Sequence, residues 1–137
     1  MKVLAGTGSS GAVEAFAAGR EAAAAAVAQL AGEAPALVVV FTTPRYDLPS
    51  LLAGIRGVTG DALLVGATGS GEILGATYMG FGAGVGVMVL SAGPYRYGIA
   101  SEANIRGRLG EVGQSIARRA RDAAGRSPHA AVILLAD

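Results

Sequence analysis

The run Ala36-Leu-Val-Val-Val-Phe-Thr42 constrains the fold of this chain more than any other stretch. It carries no charge and is rich in β-branched residues. A strand with one wet face alternates apolar and polar side chains, whereas a continuous apolar run is how a strand covered on both faces reads. Pro44 ends it. Ala62–Val65 and Ala130–Ala136 read the same way, and helical patterns lie between such runs. Strands alternating with helices define an α/β domain.

Around that frame the reading is as follows. Lys2–Ala5 is a short first strand and Gly6–Gly11 a turn. From Ala12 a helix follows, with Val13, Phe16, Ala17, Ala24, Val27 and Leu30 near one face. Gly32 and Pro35 stop it. Asp47 caps a short helix, Leu48–Ile55, whose Leu48, Leu51, Leu52 and Ile55 form an apolar stripe, and Gly57 and Gly60 end it. Within Gly84–Ala92, Val85, Val87 and Val89 recur at period two. Gly82, Gly84 and Gly86 leave the other side bare, so a close neighbour is expected there. Ser91–Pro94 is a turn, and Tyr95, Tyr97 and Ile99 continue as the second strand of a hairpin. A second long helix spans Asn104–Ala124, with Ile105, Leu109, Val112, Ile116 and Ala120 at helical spacing.

The order β-α-β-α-β, hairpin, α-β predicts an α/β sandwich with a mixed sheet, flanking helices and a β-hairpin in the C-terminal half. Residues 1–137 read as one domain. Because the last apolar run closes on Asp137 with nothing to cover it, the chain reads as the N-terminal part of a longer module or as a tight homo-oligomer.

Composition removes several function classes. A net charge of +1 argues against nucleic acid and anionic membrane surfaces as partners. Cysteine is absent, which excludes disulfides, thiolate catalysis and Cys-based metal sites, and fits a cytoplasmic location. The apolar run Ala22–Ala28 is bounded by Glu21 and Gln29 and falls far short of the roughly 20 residues a membrane span needs. Glu14 interrupts any signal-peptide core.

The segment Leu63-Leu-Val-Gly-Ala-Thr-Gly-Ser-Gly-Glu-Ile73 is the principal candidate site. A buried strand runs into a glycine-rich turn carrying two hydroxyls and a carboxylate. Backbone amides at Gly69 and Gly71, with the Thr68 and Ser70 hydroxyls, suit an anionic group, and Glu72 suits an ammonium. An amino acid presents both. The bland alternative is that the glycines serve packing and Glu72 is solvated. If Ala36–Thr42 and Ala62–Val65 are parallel neighbours, their C-terminal ends meet, and Thr43 and Arg45 join the same crevice. Arg45 then pairs with a carboxylate; its alternative is a solvated side chain.

Other chemistries fit less well. Ser70 lacks the Gly-x-Ser-x-Gly spacing of a nucleophile elbow, and the one histidine, His129, belongs to a different strand. Gly6-Thr-Gly-Ser-Ser-Gly11 matches the dinucleotide fingerprint G-x-G-x-x-G between a strand and a helix, which keeps a nucleotide-dependent oxidoreductase as an alternative. The expected ribose-binding acid is missing from the end of the next strand, and Ser9 or Ser10 capping the helix is the plainer reading. His129 as an axial haem ligand stands against a surface histidine. A third alternative is an assembly domain whose bare glycine strand packs on a partner sheet. No cofactor is called for.

The combination Ala36-Leu-Val-Val-Val-Phe-Thr-Thr-Pro-Arg-Tyr-Asp47, a short helix, and then Leu64-Val-Gly-Ala-Thr-Gly-Ser-Gly-Glu-Ile73 resembles the FIST N-terminal domain family. Ala67 stands where the family often has cysteine, and Ser70 precedes the Gly-Glu pair. The resemblance implies a non-catalytic bacterial sensory module for signal transduction. It implies small ligands, amino acids among them, and a partner in the C-terminal FIST half or a downstream signalling protein. Some members look like haem-based gas sensors.

Overall fold

The computed structural model describes residues 2–80 and 82–135. The chain divides into two compact units, residues 1–94 and 95–137.

In the first unit, strands β1 (Ala5–Ser10), β2 (Pro35–Thr42), β3 (Leu63–Thr68) and β6 (Val85–Ser91) form one sheet in the order β1-β6-β2-β3. β2 and β3 are parallel and are joined through helix α2 (Leu48–Thr59). β6 inserts antiparallel between β1 and β2. The short strands β4 (Glu72–Leu74) and β5 (Thr77–Met79) make a separate hairpin. Mixed strand directions with helices on the sheet confirm the α/β class.

The pairing register sorts side chains into two faces, because neighbouring residues along a strand point to opposite sides. Gly6, Val89, Val38 and Leu64 form one row; Gly8, Val87, Val40 and Gly66 form the next on the same side. Helices α1 (Ala15–Val27) and α2 cover this face, and Val38, Val85, Val87, Val89, Leu51 and Ile55 are completely buried there. Helix α1 comes so close to β1 that a Cβ on Gly6 or Gly8 would collide with the carbonyl oxygens of Ala26 or Ala22. Where the helices cross, Gly19 lies against the Leu51 carbonyl and Gly54 against that of Phe16.

This close approach corrects three expectations. Gly6–Ser10 is strand and not turn: Gly6 and Gly8 serve contact with the helix, and the segment pairs with β6. Helix α1 buries Ala15, Ala18, Gly19, Ala22, Ala23 and Ala26. The face expected from Val13 and Phe16 points elsewhere, and Val13 is 92% exposed. A glycine strand leaves room for methyl groups only, so alanine marks the buried face. Neither Ser9 nor Ser10 caps α1. Glu14 does, its Oε1 accepting from Phe16 N at 2.8 Å and its Oε2 from Ala17 N at 2.6 Å. A carboxylate thus holds the helix N-terminus that a pyrophosphate would need, and the dinucleotide reading loses its loop.

Helix α2 follows the expected cap, with Asp47 Oδ2 accepting from Ser50 N at 3.0 Å. It continues past Gly57 and stops at Gly60, whose φ of 58° favours glycine. Leu51 and Ile55 are buried, while Leu48 and Leu52 are partly exposed. Just before it, Tyr46 is buried and its hydroxyl donates to Ala12 O at 2.7 Å, tying the loop before α2 to the loop before α1. Burial and then the nearby Glu21 raise its pKa. Tyr46→Phe removes this one hydrogen bond and is expected to lower unfolding free energy by about 1 kcal/mol. Urea denaturation checks it, and an unchanged midpoint refutes it.

β6 corrects the expected hairpin. It pairs with β1 and β2, not with residues 95–99, and the hairpin of this fold is β4–β5. The second unit holds helix α3 (Leu109–Ala123), shorter than the expected Asn104–Ala124. Ion pairs decorate it, Arg119 with Glu102 at 3.0 Å and Arg126 with Asp122 at 2.6 Å. Residues 95–100 and 130–135 are not strands. Val132, Ile133 and Leu134 are exposed, contrary to the expected buried strand; Ala136 and Asp137 lie outside the described residues. A strand needs an edge to pair with, and no other strand occurs among the described residues of this unit.

Candidate functional site

The second face of the sheet carries the candidate site. Its rows are Thr7, Met88, Val39 and Val65, then Ser9, Gly86, Phe41 and Ala67. No helix of the first unit covers it. The β4–β5 hairpin lies over part of it, packing β4 on β6 and β1. Along β4, Glu72 is buried and Ile73 is 77% exposed, so Glu72 and Leu74 turn toward the sheet and Ile73 away.

Between hairpin and sheet lies a cavity of about 440 Å³. Val39, Phe41, Gly86 and Met88 form its floor, Leu74 and Glu72 its roof, with Thr7, Gly69, Gly71 and Ile73 around them. Gly86 creates the room. A Cβ there would find Leu74 Cδ1 at 3.6 Å and Met79 Cε at 3.8 Å, which is ordinary contact. The sequence predicts a close neighbour on this side of β6; Met79 provides one at Gly84, and at Gly86 the ends of Leu74 and Met79 stand at ordinary contact distance. The neighbour at Gly84 belongs to the chain's own β4–β5 hairpin.

Glu72 is the unusual group. The residue is 95% buried, and neither carboxylate oxygen has a hydrogen-bond partner among the described residues. Burial raises its pKa above the usual carboxylate range, and the nearby Gly69 amide opposes this weakly. That amide is already committed, donating to Thr42 O at 2.9 Å. A buried carboxylate without a partner costs free energy. Folds retain such groups at sites that use them.

The two strand tips do meet. Thr42 pairs with Thr68 in the parallel ladder, and Gly69 bonds back to Thr42. Of the seven candidate residues, Gly69, Gly71 and Glu72 line the cavity. Thr68 is exposed at the end of β3, Ser70 on the loop after it and Arg45 after β2; none of these three is among its lining residues. Thr43 is buried and its hydroxyl accepts from Gly84 N at 3.1 Å, so it fastens β2 to β6. His129 is exposed in the second unit. Among the described residues, no group of three or more His, Cys, Asp or Glu side chains could hold a metal.

Sequence reasoning missed the floor, Val39, Phe41, Gly86 and Met88, and Thr7 beside it. The bare side of β6 was the available signal.

Residues 36–137 match the family model for the FIST N domain. The chain belongs to this family. The match takes in β2, the hairpin with Glu72, β6 and the whole second unit; β1 and α1 precede it. No curated protein matches the chain. FIST domains are sensory, signal-transduction modules and are not typically catalytic. No helix among the described residues of this FIST domain is long and apolar enough to cross a membrane.

Proposed function

We propose that this FIST domain binds a small polar metabolite, one carrying a cationic group, between the β4–β5 hairpin and the open face of the sheet. The observation that carries this reading is Glu72: a buried carboxylate without a partner, placed at a cavity of about 440 Å³. That volume lies within the range of small-molecule sites. A cation brought to Glu72 supplies the missing partner, and the apolar floor excludes water and strengthens the pairing. Gly69 and Gly71 let the chain turn closely around the carboxylate.

The role is non-catalytic. FIST domains are not typically catalytic, and Ser70 lacks the Gly-x-Ser-x-Gly spacing of a nucleophile elbow. The output is a shift of the hairpin, which only a ligand of different affinity for its two positions can drive. The C-terminal FIST half or a downstream signalling protein reads that shift.

A thermal-shift screen of cationic, zwitterionic and anionic metabolites tests the reading. Tight ligands raise the melting temperature by mass action. Gly86→Val fills the cavity floor where a Cβ meets no clash, and Glu72→Gln removes the charge. Ligands that stabilise the wild type and lose their effect in both variants support the reading. If every stabilising compound acts equally on Gly86→Val, the pocket is not the binding site.

A further inference from the structure

We infer that the cavity selects an organic amine with an apolar body, and rejects the amino acid that carries the same side chain. This rests on the pocket reading above and narrows its ligand class. The charges around the cavity carry it. Glu72 is the one charged residue lining it among the described residues, and no Lys, Arg or His joins it. The other lining side chains are apolar except Thr7.

An α-amino acid brings two opposite charges on one carbon. Its ammonium finds Glu72. Its carboxylate, held within a few ångströms of the same carbon, meets a second carboxylate and no cation. Of the groups expected to receive it, Thr68, Ser70 and Arg45 do not line the cavity and the Gly69 amide is spent on Thr42, which leaves the single neutral amide of Gly71 and no cation. Bringing an ionised carboxylate out of water without a partner is costly, and a nearby like charge adds to that cost. A monoamine avoids both. Its ammonium pairs with Glu72, and its hydrocarbon body covers the cavity floor at Phe41 and Met88, which the hairpin leaves partly exposed. Selectivity then comes from repulsion against the wrong ligand as much as from attraction to the right one.

The probes are matched sets sharing one body: phenethylamine, phenylalanine and 3-phenylpropionate, with the butyl and indolyl counterparts of each. Isothermal titration of the full chain gives the dissociation constants. At least one amine is expected to bind at least about tenfold more tightly than its amino acid. Glu72→Gln should weaken that amine at least about tenfold while leaving circular dichroism unchanged. Gly86→Val should block it. If an amino acid binds as tightly as its amine and still depends on Glu72 and Gly86, the amine selectivity is overturned and the pocket reading stands. Tightest binding by a carboxylate without an amine overturns the role given to Glu72. Silence across all sets, in a protein whose fold is verified, overturns both.

Discussion

Gly8→Ala is expected to unfold the first unit or to destabilise it by more than about 3 kcal/mol, whereas Gly86→Ala leaves stability within about 1 kcal/mol of wild type. Both glycines sit in extended strands of one sheet, and both gain the same methyl group. Their surroundings differ. At Gly8 the methyl would overlap the carbonyl oxygen of Ala22, a backbone atom inside helix α1 with nowhere to move, and it would also press on Ala25. Relief requires the helix to lift from β1, which exposes Ala18, Ala22, Ala23 and Ala26 together. At Gly86 the methyl meets only the ends of Leu74 and Met79 at 3.6 and 3.8 Å. Urea denaturation of the pair separates the two faces of the sheet. Equal losses would mean that helix α1 does not lie against β1 as closely as described.

Glu72→Gln is expected to raise stability at neutral pH by about 1–3 kcal/mol, because a neutral amide costs less to bury without a partner than an ionised carboxylate does. The gain should vanish in acid. Burial raises the Glu72 pKa in the folded protein, while the unfolded chain keeps the ordinary value of 4.5. Between those two values the folded state binds more protons than the unfolded one, so wild-type stability falls as pH rises. Below the ordinary value both states are protonated, Glu72 is neutral, and wild type and variant converge. Above the raised value the full penalty stands. Denaturation of the two proteins across this window reports Glu72 alone, since every other titrating group cancels in the difference. A difference that does not change with pH would show that Glu72 already has a partner in solution.

The parts of the fold legible in the sequence were those where one signal dominates. Asp47 before a helical stripe placed the start of α2, and the valines at 85, 87 and 89 fixed the buried side of β6. Two failures share a cause. Glycine in Gly6-Thr-Gly-Ser-Ser-Gly11 was read as punctuation and alanine in α1 as compositional background, yet each is the other's complement: small residues on both surfaces let strand and helix touch. A pattern measured on one element cannot show that. The site divided in the same way. Glu72 stood out because a carboxylate beside a glycine turn after a strand is chemically conspicuous. Its surroundings did not, because Val38-Val39-Val40-Phe41 looks uniform until pairing with β6 shows that Val38 and Val40 face the helices while Val39 and Phe41 face the cavity.

The place of β6 has a bearing on how the molecule is made. β1 and β2 are parallel but never touch; the strand that bridges them ends at Ser91. During synthesis β2, α2 and β3 can associate as soon as they emerge, because β2 and β3 are direct neighbours. β1 must wait, its inner margin unsatisfied, until Val85–Ser91 have left the ribosome. Gln29 limits the hazard on the outer margin, its amide gripping the Thr7 carbonyl at 2.6 Å where another chain would add. The nascent protein therefore guards one border early and relies on the late arrival of β6 to close the other.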